Sequence, residues 1–231
     1  SALFVFDASN KTGGGHAIRC CAIAEELQTQ NWNSTLLCTS ETFEFMPYLN
    51  KIFNKITNCP NSLDEIKSTL QENKKKYNLL VIDSYSISYE IEKLIGNYAD
   101  TILIIDDLAD KKHSCTNIIN TNPVYNYSNY NSFMHDEHAV LIGPKYAILR
   151  KQFIKIREES ILHRKNNYNK IDNILVVLGA SDPNKILEPI LLSINKSKFN
   201  GVVNVLSGLS NYTNMNIEKI VSSQNIKVIM H

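Results

Sequence analysis

Short apolar runs alternate with longer amphipathic stretches along the chain. In its first half, four apolar runs have the length and composition of buried strands: residues 4–6, 35–38, 79–82 and 102–105. Patterns typical of helices lie between them, at residues 16–30, 63–77 and 87–98. This alternation predicts parallel strands joined by right-handed crossover helices, which is an α/β fold.

The alternation of strand and helix patterns is less regular in the middle of the chain. Apolar runs at residues 117–119 and 139–142 predict two more strands at the far side of the sheet. Residues 120–136 are rich in Asn and Tyr and predict a long surface loop. A strongly charged helix is predicted over residues 147–164, and residues 166–169 form a polar linker.

After the linker the α/β pattern starts again. It predicts strands at residues 173–178, 202–206 and 227–230, with helices at residues 185–195 and 215–222. Because a doubly wound domain needs more sheet than three strands, we expect the natural protein to continue beyond His231. The predicted organisation is an N-terminal Rossmann-like domain (1–148), a helix and linker (149–169), and the truncated start of a second, nucleotide-binding Rossmann-like domain (170–231).

The composition of the chain limits the classes of function that we expect for the protein. The 231 residues carry a formal net charge of +1, which gives no support to a nucleic-acid partner. The apolar runs are of strand length and no leader pattern precedes them, so no membrane association is predicted. Five cysteines have no metal-ligand spacing, and their odd number argues against a disulfide framework. These features predict a cytoplasmic protein.

The most informative motif is Gly13-Gly14-Gly15-His16, directly after the first predicted strand. A turn at the carboxyl end of such a strand is where ligands bind, and its glycines let backbone N–H groups approach a phosphate. His16 begins the next helix, whose positive end disfavours imidazolium and predicts a neutral ring able to accept a proton. The competing interpretation is a histidine that merely starts a helix. The spacing matches neither a dinucleotide fingerprint nor a Walker loop.

Three further side chains are candidates for the same site. Arg19 shares a helix face with His16 and either pairs with a carboxylate such as Asp7 or contacts substrate. Asp83 ends a buried strand and either orients His16, binds sugar hydroxyls or caps the next helix. Tyr85 follows in the turn, which favours substrate contact over a place in the core.

Asp106 and Asp107 suggest paired carboxylates, but consecutive strand residues point to opposite faces. We therefore expect one, Asp107, to face the ligand and the other to cap or pair structurally. No further ligands cluster near them, so no metal is predicted. A zinc site at residues 135–138 and sugar stacking by the tyrosines of residues 125–130 are both less favoured than a solvated loop.

A second small-residue turn opens the second domain. It comprises Gly179, Ala180, Ser181 and Asp182, and a predicted helix follows it. Backbone amides at such a helix start would balance the charge of a diphosphate without a metal. Two half-sheets, each beginning with a strand and such a turn, predict a ligand in the crevice between two lobes, with His16 facing that crevice.

Five motifs occur in an order that resembles a known family. They lie at residues 13–19, 81–85, 105–107, 143–153 and 178–184. The series is similar to the UDP-2,4-diacetamido-2,4,6-trideoxy-β-L-altropyranose hydrolases of pseudaminic acid biosynthesis. The resemblance implies a GT-B fold with two Rossmann-like lobes, the second incomplete here. It also implies inverting, metal-independent hydrolysis of a UDP-sugar at the anomeric carbon, with no cofactor.

The resemblance also assigns roles to residues. It implies that His16 is the base that activates water, that Tyr85 lies in the active site, and that the second turn supports the diphosphate. Ala180 departs from the family's usual glycine, and the family's uridine-binding segments lie beyond His231. The predicted substrate-binding residues are Gly14, Gly15, Arg19, Asp83, Tyr85 and Asp107. A GT-B glycosyltransferase and a non-catalytic nucleotide-sugar-binding module remain the alternatives.

Overall fold

The computed structural model describes residues 1–58, 63–73, 76–133, 139–167, 171–178, 182, 184–197, 199–207 and 226–230. The strands are β1 Ala2–Phe6, β2 Ser34–Cys38, β3 Lys55–Asn58, β4 Tyr77–Asp83, β5 Ala99–Ile105, β6 Asn117–Asn120, β7 Ala139–Ile142, β8 Asn173–Val177, β9 Val202–Ser207 and β10 Ile226–Met230. The helices are α1 Gly15–Thr29, α2 Ser40–Phe45, α3 Leu63–Asn73, α4 Tyr89–Gly96, α5 Lys151–Asn166 and α6 Leu187–Lys196. Short 3₁₀ helices occur at Pro47–Lys51, Tyr127–Tyr130 and Pro144–Tyr146.

The chain divides into two compact units. The first comprises Ser1–Ser9 and Gly15–Lys151, and the second comprises Asn10–Gly14 and Gln152–His231. The first unit contains a seven-stranded sheet and the second a three-stranded sheet, and every strand pair in both is parallel. The predicted α/β class is therefore confirmed.

The seven-stranded sheet has the order β3-β2-β1-β4-β5-β6-β7. Strands are added in one direction from β1 to β3 and in the other from β4 to β7, so the order reverses between β1 and β4. Their last residues, Phe6 and Asp83, are partners in the register. In open α/β sheets, ligands bind beyond the carboxyl ends of the strands at such a switch point.

Both faces of this sheet are covered, which explains why every residue of β1 is buried. One face holds Phe4 and Phe6 against α1, where Cys20 and Cys21 pack into the core. The opposite face holds Leu3 and Val5 against residues of α3 and α4. Residues on the two faces of β1 thus alternate, with a period of two.

The second unit has its own core. Its sheet has the order β10-β9-β8, and the core contains Leu187 and Leu191 of α6 with Val203 and Val205 of β9. The three predicted strands of this region are confirmed. The helix predicted over residues 215–222 lies outside the described residues.

The local structure differs from the sequence predictions at two places. The sequence pattern gave no strand at Lys55–Asn58, which has a single strongly apolar residue, yet this segment pairs with β2 at the sheet edge. The helix predicted to reach residue 77 ends at Asn73, and Tyr77 is the buried first residue of β4. An aromatic side chain in a half-apolar window fits either pattern, so tertiary packing decides.

Among the described residues, no helix has the length and apolar character needed to cross a membrane.

Candidate active site

Side chains predicted for the site meet at the carboxyl edge of the first unit's sheet, on the face covered by α1. They come from four positions in the fold: the start of α1, the last residue of β4, the turn after β4 and the turn after β5. The residues are His16, Arg19, Asp83, Tyr85 and Asp107. We call these five residues the edge cluster.

The glycine-rich turn sets where α1 begins. Gly13 has φ of +76°, in the left-handed region that glycine adopts without a steric penalty. Gly15 is the first residue of α1, which places His16 in the first turn of the helix. The predicted strand, turn and helix are confirmed, while phosphate contact by Gly14 and Gly15 stays a prediction.

His16 is held by a carboxylate. Its Nδ1 lies 2.6 Å from Oδ1 of Asp83, and the two side chains are only 6 % and 1 % exposed. Because the carboxylate accepts the proton on Nδ1, a neutral imidazole has its lone pair on Nε2. Of the roles considered for Asp83, orientation of His16 is the one that the geometry supports. The ring is more enclosed than we expected for a side chain facing a crevice.

The expected direction of the pKa shift of His16 needs correction. Burial of the ring lowers its pKa, but the hydrogen bond and charge of Asp83 more than offset this, so the pKa of His16 is raised above 6.5. The positive charge of Arg19 opposes the rise and the carboxylate of Asp7 adds to it. The direction of this shift is opposite to the one expected from the helix start, because a close carboxylate outweighs a helix dipole.

Arg19 joins two carboxylates. Its Nε and Nη2 donate to Asp83 at 2.5 and 2.8 Å, and its Nη1 and Nη2 donate to Asp107 at 2.9 and 2.6 Å. The structural pairing favoured for Arg19 is thus present, but with Asp83 and Asp107 in place of Asp7. Paired, forked hydrogen bonds of this kind fix both carboxylates in position.

Tyr85 closes the edge cluster on its solvent side. Its hydroxyl donates to Oδ2 of Asp107 at 2.9 Å, and its ring packs edge-on against that of His16 with centroids 4.7 Å apart. The residue is 54 % exposed, in agreement with a place outside the core. Burial of the hydroxyl and its bond to Asp107 raise the pKa of Tyr85 to about 12, so it is a neutral donor at physiological pH.

Asp106 and Asp107 belong to different groups of residues, and Asp106 has the structural role expected for one of the pair. Asp107 takes part in the edge cluster, whereas Asp106 accepts the backbone N–H groups of Leu108 and Ala109, both at 3.0 Å. Asp106 also accepts the hydroxyl of Tyr130 at 2.7 Å. Tyr130 is buried, so the surface-loop interpretation of its segment is wrong at this residue.

A second group of polar residues, which the sequence did not predict, lies behind Asp106. Nδ1 of His113 lies 2.8 Å from Oε1 of Glu92, and Nε2 lies 3.8 Å from Oδ2 of Asp106. We call Glu92, Asp106, His113 and Tyr130 the inner cluster; all four are buried. His113 lies in an irregular polar segment without periodicity, so the sequence offered no signal that could have found it.

The second predicted turn is described only at Asp182. Its carboxylate accepts the N–H groups of Ile186 and Leu187 at 3.0 and 2.9 Å and so caps the start of α6. Gly179, Ala180 and Ser181 lie outside the described residues, so the diphosphate site stays a prediction. Within the described part of the chain, no group of three His, Cys, Asp or Glu side chains is arranged to hold a metal ion.

Comparisons with known proteins find distant relatives of the chain. No family model matches it. It is 25 % identical over 230 residues to an uncharacterized protein of Methanocaldococcus jannaschii, covering 97 % of this chain and 46 % of that protein. It is 24 % identical over 218 residues to the UDP-2,4-diacetamido-2,4,6-trideoxy-β-L-altropyranose hydrolase of Campylobacter jejuni, covering 94 % of this chain and 72 % of the hydrolase. The chain thus spans about half the length of the first relative.

The fold has counterparts among solved structures. UDP-N-acetylglucosamine 2-epimerase from Rickettsia bellii superposes with a TM-score of 0.57 at 10 % identity, over 99 % of this chain and 68 % of the epimerase. A match at this identity is evidence for the fold alone, which is GT-B-like over the part that the chain covers. The resemblance first seen in five short motifs is therefore supported over nearly the whole chain: this protein is a distant, GT-B-like relative of the UDP-diacetamido-sugar hydrolase.

Proposed function

We propose that the protein is a cytoplasmic enzyme that hydrolyses a UDP-diacetamido-trideoxyhexose to UDP and the free sugar, in nonulosonic (pseudaminic) acid biosynthesis. The observation that carries the proposal is the hydrogen bond between His16 and Asp83 at the switch point of the sheet. A carboxylate-oriented imidazole is the arrangement that general-base activation of water requires. The distant relationship to a UDP-sugar hydrolase supports the same reaction.

In the proposed reaction, Nε2 of His16 takes a proton from a water molecule. The water oxygen forms a bond to the anomeric carbon as the bond from that carbon to the diphosphate oxygen breaks, and UDP leaves with the electron pair. Asp83 stabilises the imidazolium that forms. General-base assistance of this kind contributes about a hundred- to ten-thousandfold to the rate.

Charge decides which part of the substrate the edge cluster faces. Asp83 and Asp107 carry two negative charges and Arg19 one positive charge, so the cluster is anionic while His16 is neutral. An anionic cluster repels a diphosphate but stabilises the positive charge that develops on the sugar ring during cleavage. We therefore assign the edge cluster to the sugar of the substrate.

Access of water is the second requirement. Because His16 is nearly enclosed, we propose that water reaches Nε2 beside Tyr85, whose exposed ring packs against the imidazole. Tyr85 and Asp107 then become the substrate-contacting groups of the cluster. Arg19 acts as a positioning residue, since its guanidinium is engaged by the two carboxylates.

The test is UDP release by the full-length protein from the UDP-diacetamido sugar, with and without an acceptor alcohol. Equal amounts of UDP and free sugar without acceptor support hydrolysis. Release only with acceptor would instead make the protein a GT-B glycosyltransferase. Binding without release under either condition would make it a nucleotide-sugar-binding module.

A further inference from the structure

Asp107 lies in the turn that directly follows β5. We call residues 106–109 the β5 turn. The backbone N–H of Asp106 donates to the carbonyl of Ile119, in the neighbouring strand β6, at 3.0 Å. Asp107 comes next in the chain, and its carboxylate belongs to the edge cluster. Because a side chain goes where its backbone goes, the groups that hold the β5 turn also determine where the carboxylate of Asp107 lies.

The β5 turn contains a strained residue. Ala109 has φ of +50°, in the left-handed region that a residue with a Cβ adopts only at a cost. Such a conformation persists only where neighbouring groups hold it, and residues of this kind are concentrated at functional sites. The N–H of Ala109 donates to Oδ2 of Asp106 at 3.0 Å, and the N–H of Leu108 donates to Oδ1 at 3.0 Å. The carboxylate of Asp106 thus holds the shape of the turn.

Tyr130 in turn fixes the carboxylate of Asp106. Its hydroxyl donates to Oδ2 of Asp106 at 2.7 Å and accepts a hydrogen bond from Nδ2 of Asn120 at 2.9 Å. All three residues are at most 5 % exposed, so the loss of one of these bonds leaves a buried polar group without compensation from bulk water. Nε2 of His113 is 3.8 Å from the same Oδ2, which is beyond hydrogen-bond distance. Tyr130 is therefore the member of the inner cluster that orients this carboxylate.

We propose that Tyr130 is a positioning residue for the reaction: through Asp106 it fixes the β5 turn and so places Asp107 for contact with the substrate. The proposal rests on the proposed function, in which Asp107 contacts the sugar, and it adds a residue that is itself buried away from the substrate. The guanidinium of Arg19 bonds to Asp83 and Asp107 together, which it can do only while the two carboxylates keep their spacing. Loss of the tyrosine hydroxyl releases one side of that spacing.

The test compares Tyr130→Phe with Tyr127→Phe in the full-length protein. Each variant loses one hydroxyl from the same 3₁₀ helix and keeps its ring, but Tyr127 is 59 % exposed and Tyr130 only 2 %. Steady-state kinetics with the UDP-diacetamido sugar give KM and kcat. NMR of ¹³C-labelled carboxyl groups gives the pKa of Asp107, which burial raises and the hydrogen bonds and charge of Arg19 lower more strongly.

We expect KM of Tyr130→Phe to rise about threefold or more, with little change in kcat because the base and its carboxylate stay in place. The pKa of Asp107 should rise toward its ordinary value in this variant, since a displaced carboxylate loses the bonds of Arg19. Tyr127→Phe should behave like the wild type in both measurements. If KM or the pKa of Asp107 keeps its wild-type value in folded Tyr130→Phe, or if both variants change equally, the proposal is overturned and the proposed hydrolysis stands.

Two further outcomes have their own criteria. If the wild type releases no UDP, the proposed function fails, and the pKa of Asp107 alone decides whether Tyr130 positions this residue. If melting curves show that Tyr130→Phe does not fold, Asp106→Asn replaces it, because an amide offers one oxygen to the donors that now share two. Removal of the negative charge of Asp106 by itself lowers the pKa of Asp107, so a rise in that variant reports a change of position. In either case a rise upholds the proposal, and an unchanged or lowered pKa overturns it.

Discussion

The protein contains two groups in which a histidine bonds to a carboxylate and a tyrosine donates to an aspartate. These two aspartates, Asp106 and Asp107, are consecutive in the chain. In the edge cluster, His16 binds Asp83 at 2.6 Å and Tyr85 donates to Asp107. In the inner cluster, His113 binds Glu92 at 2.8 Å and Tyr130 donates to Asp106. The side-chain types are nearly the same, but Tyr130 is 2 % exposed and Tyr85 is 54 % exposed.

The comparison shows how a neighbouring cation affects the pKa of a histidine. Burial lowers the pKa of His113, but its hydrogen bond to Glu92 and the charges of Glu92 and Asp106 prevail and raise the pKa to about 9, so this ring is a cation at neutral pH. His16 has Arg19 beside it, with Nη2 3.3 Å from Nδ1, and that charge limits the rise of its pKa. The charge of Arg19 thus holds the pKa of His16 below the value that its carboxylate neighbours alone would give it.

The largest difference between the two clusters is expected when the histidine of each is replaced. His16→Ala removes the proposed base and should lower kcat for UDP release by at least a hundredfold, with UDP binding nearly unchanged. His113→Gln leaves the reaction groups in place and should lower the melting temperature much more than kcat. Turnover like that of the wild type in His16→Ala would reject His16 as the base.

Asp83→Asn removes the charge that raises the pKa of His16 and should reduce kcat at least tenfold through loss of orientation. In the wild type, kcat/KM falls as the pH drops through the raised pKa of His16, because the base becomes protonated. The pKa falls in the variant, so this acid limb moves to lower pH. If the acid limb of kcat/KM lies at the same pH in Asp83→Asn as in the wild type, a group other than His16 controls it.

Arg19→Gln is expected to shift the pKa of His16 in the direction opposite to that of Asp83→Asn. Loss of the guanidinium removes a charge that lowers the pKa of His16, so the acid limb of kcat/KM should move to higher pH. The pH profile of purified variant and wild type, measured side by side, checks the direction. A shift to lower pH would contradict the role given to Arg19.

The inner cluster should appear in the pH dependence of stability. The pKa of His113 is raised to about 9 from 6.5, so its contribution is complete below about pH 6.5 and is lost as the pH rises through about 9. The free energy of unfolding should therefore decline over this interval. His113→Gln should flatten the decline, which denaturant titrations at several pH values measure, and an unchanged slope would speak against the ion pair.

The smallest effect is expected for Tyr85→Phe. The ring that covers His16 remains, and one hydrogen bond to Asp107 is lost, so KM should rise a few-fold with little change in kcat. Steady-state kinetics distinguish this from Tyr85→Ala, which uncovers the imidazole and should affect kcat as well. Identical kinetics of the two variants would exclude a role for the ring.

Much of the edge cluster was predictable because its residues follow strand ends. A buried strand that ends in Asp83 and a glycine turn that ends in His16 both predict side chains at the carboxyl edge of a parallel sheet. The sign of the pKa shift of His16 was not predictable, since it depends on a carboxylate 67 positions away. The inner cluster escaped for the same reason: Glu92 and His113 meet only through tertiary packing.

The most direct test of the account is hydrolysis of the UDP-diacetamido sugar in water enriched in ¹⁸O, with no acceptor present. If water adds to the anomeric carbon at the His16 site, mass spectrometry should find one ¹⁸O in the free sugar, none in UDP, and loss of the labelled sugar with His16→Ala. Label in the β-phosphate of UDP, or undiminished labelling of the sugar by His16→Ala, would contradict it.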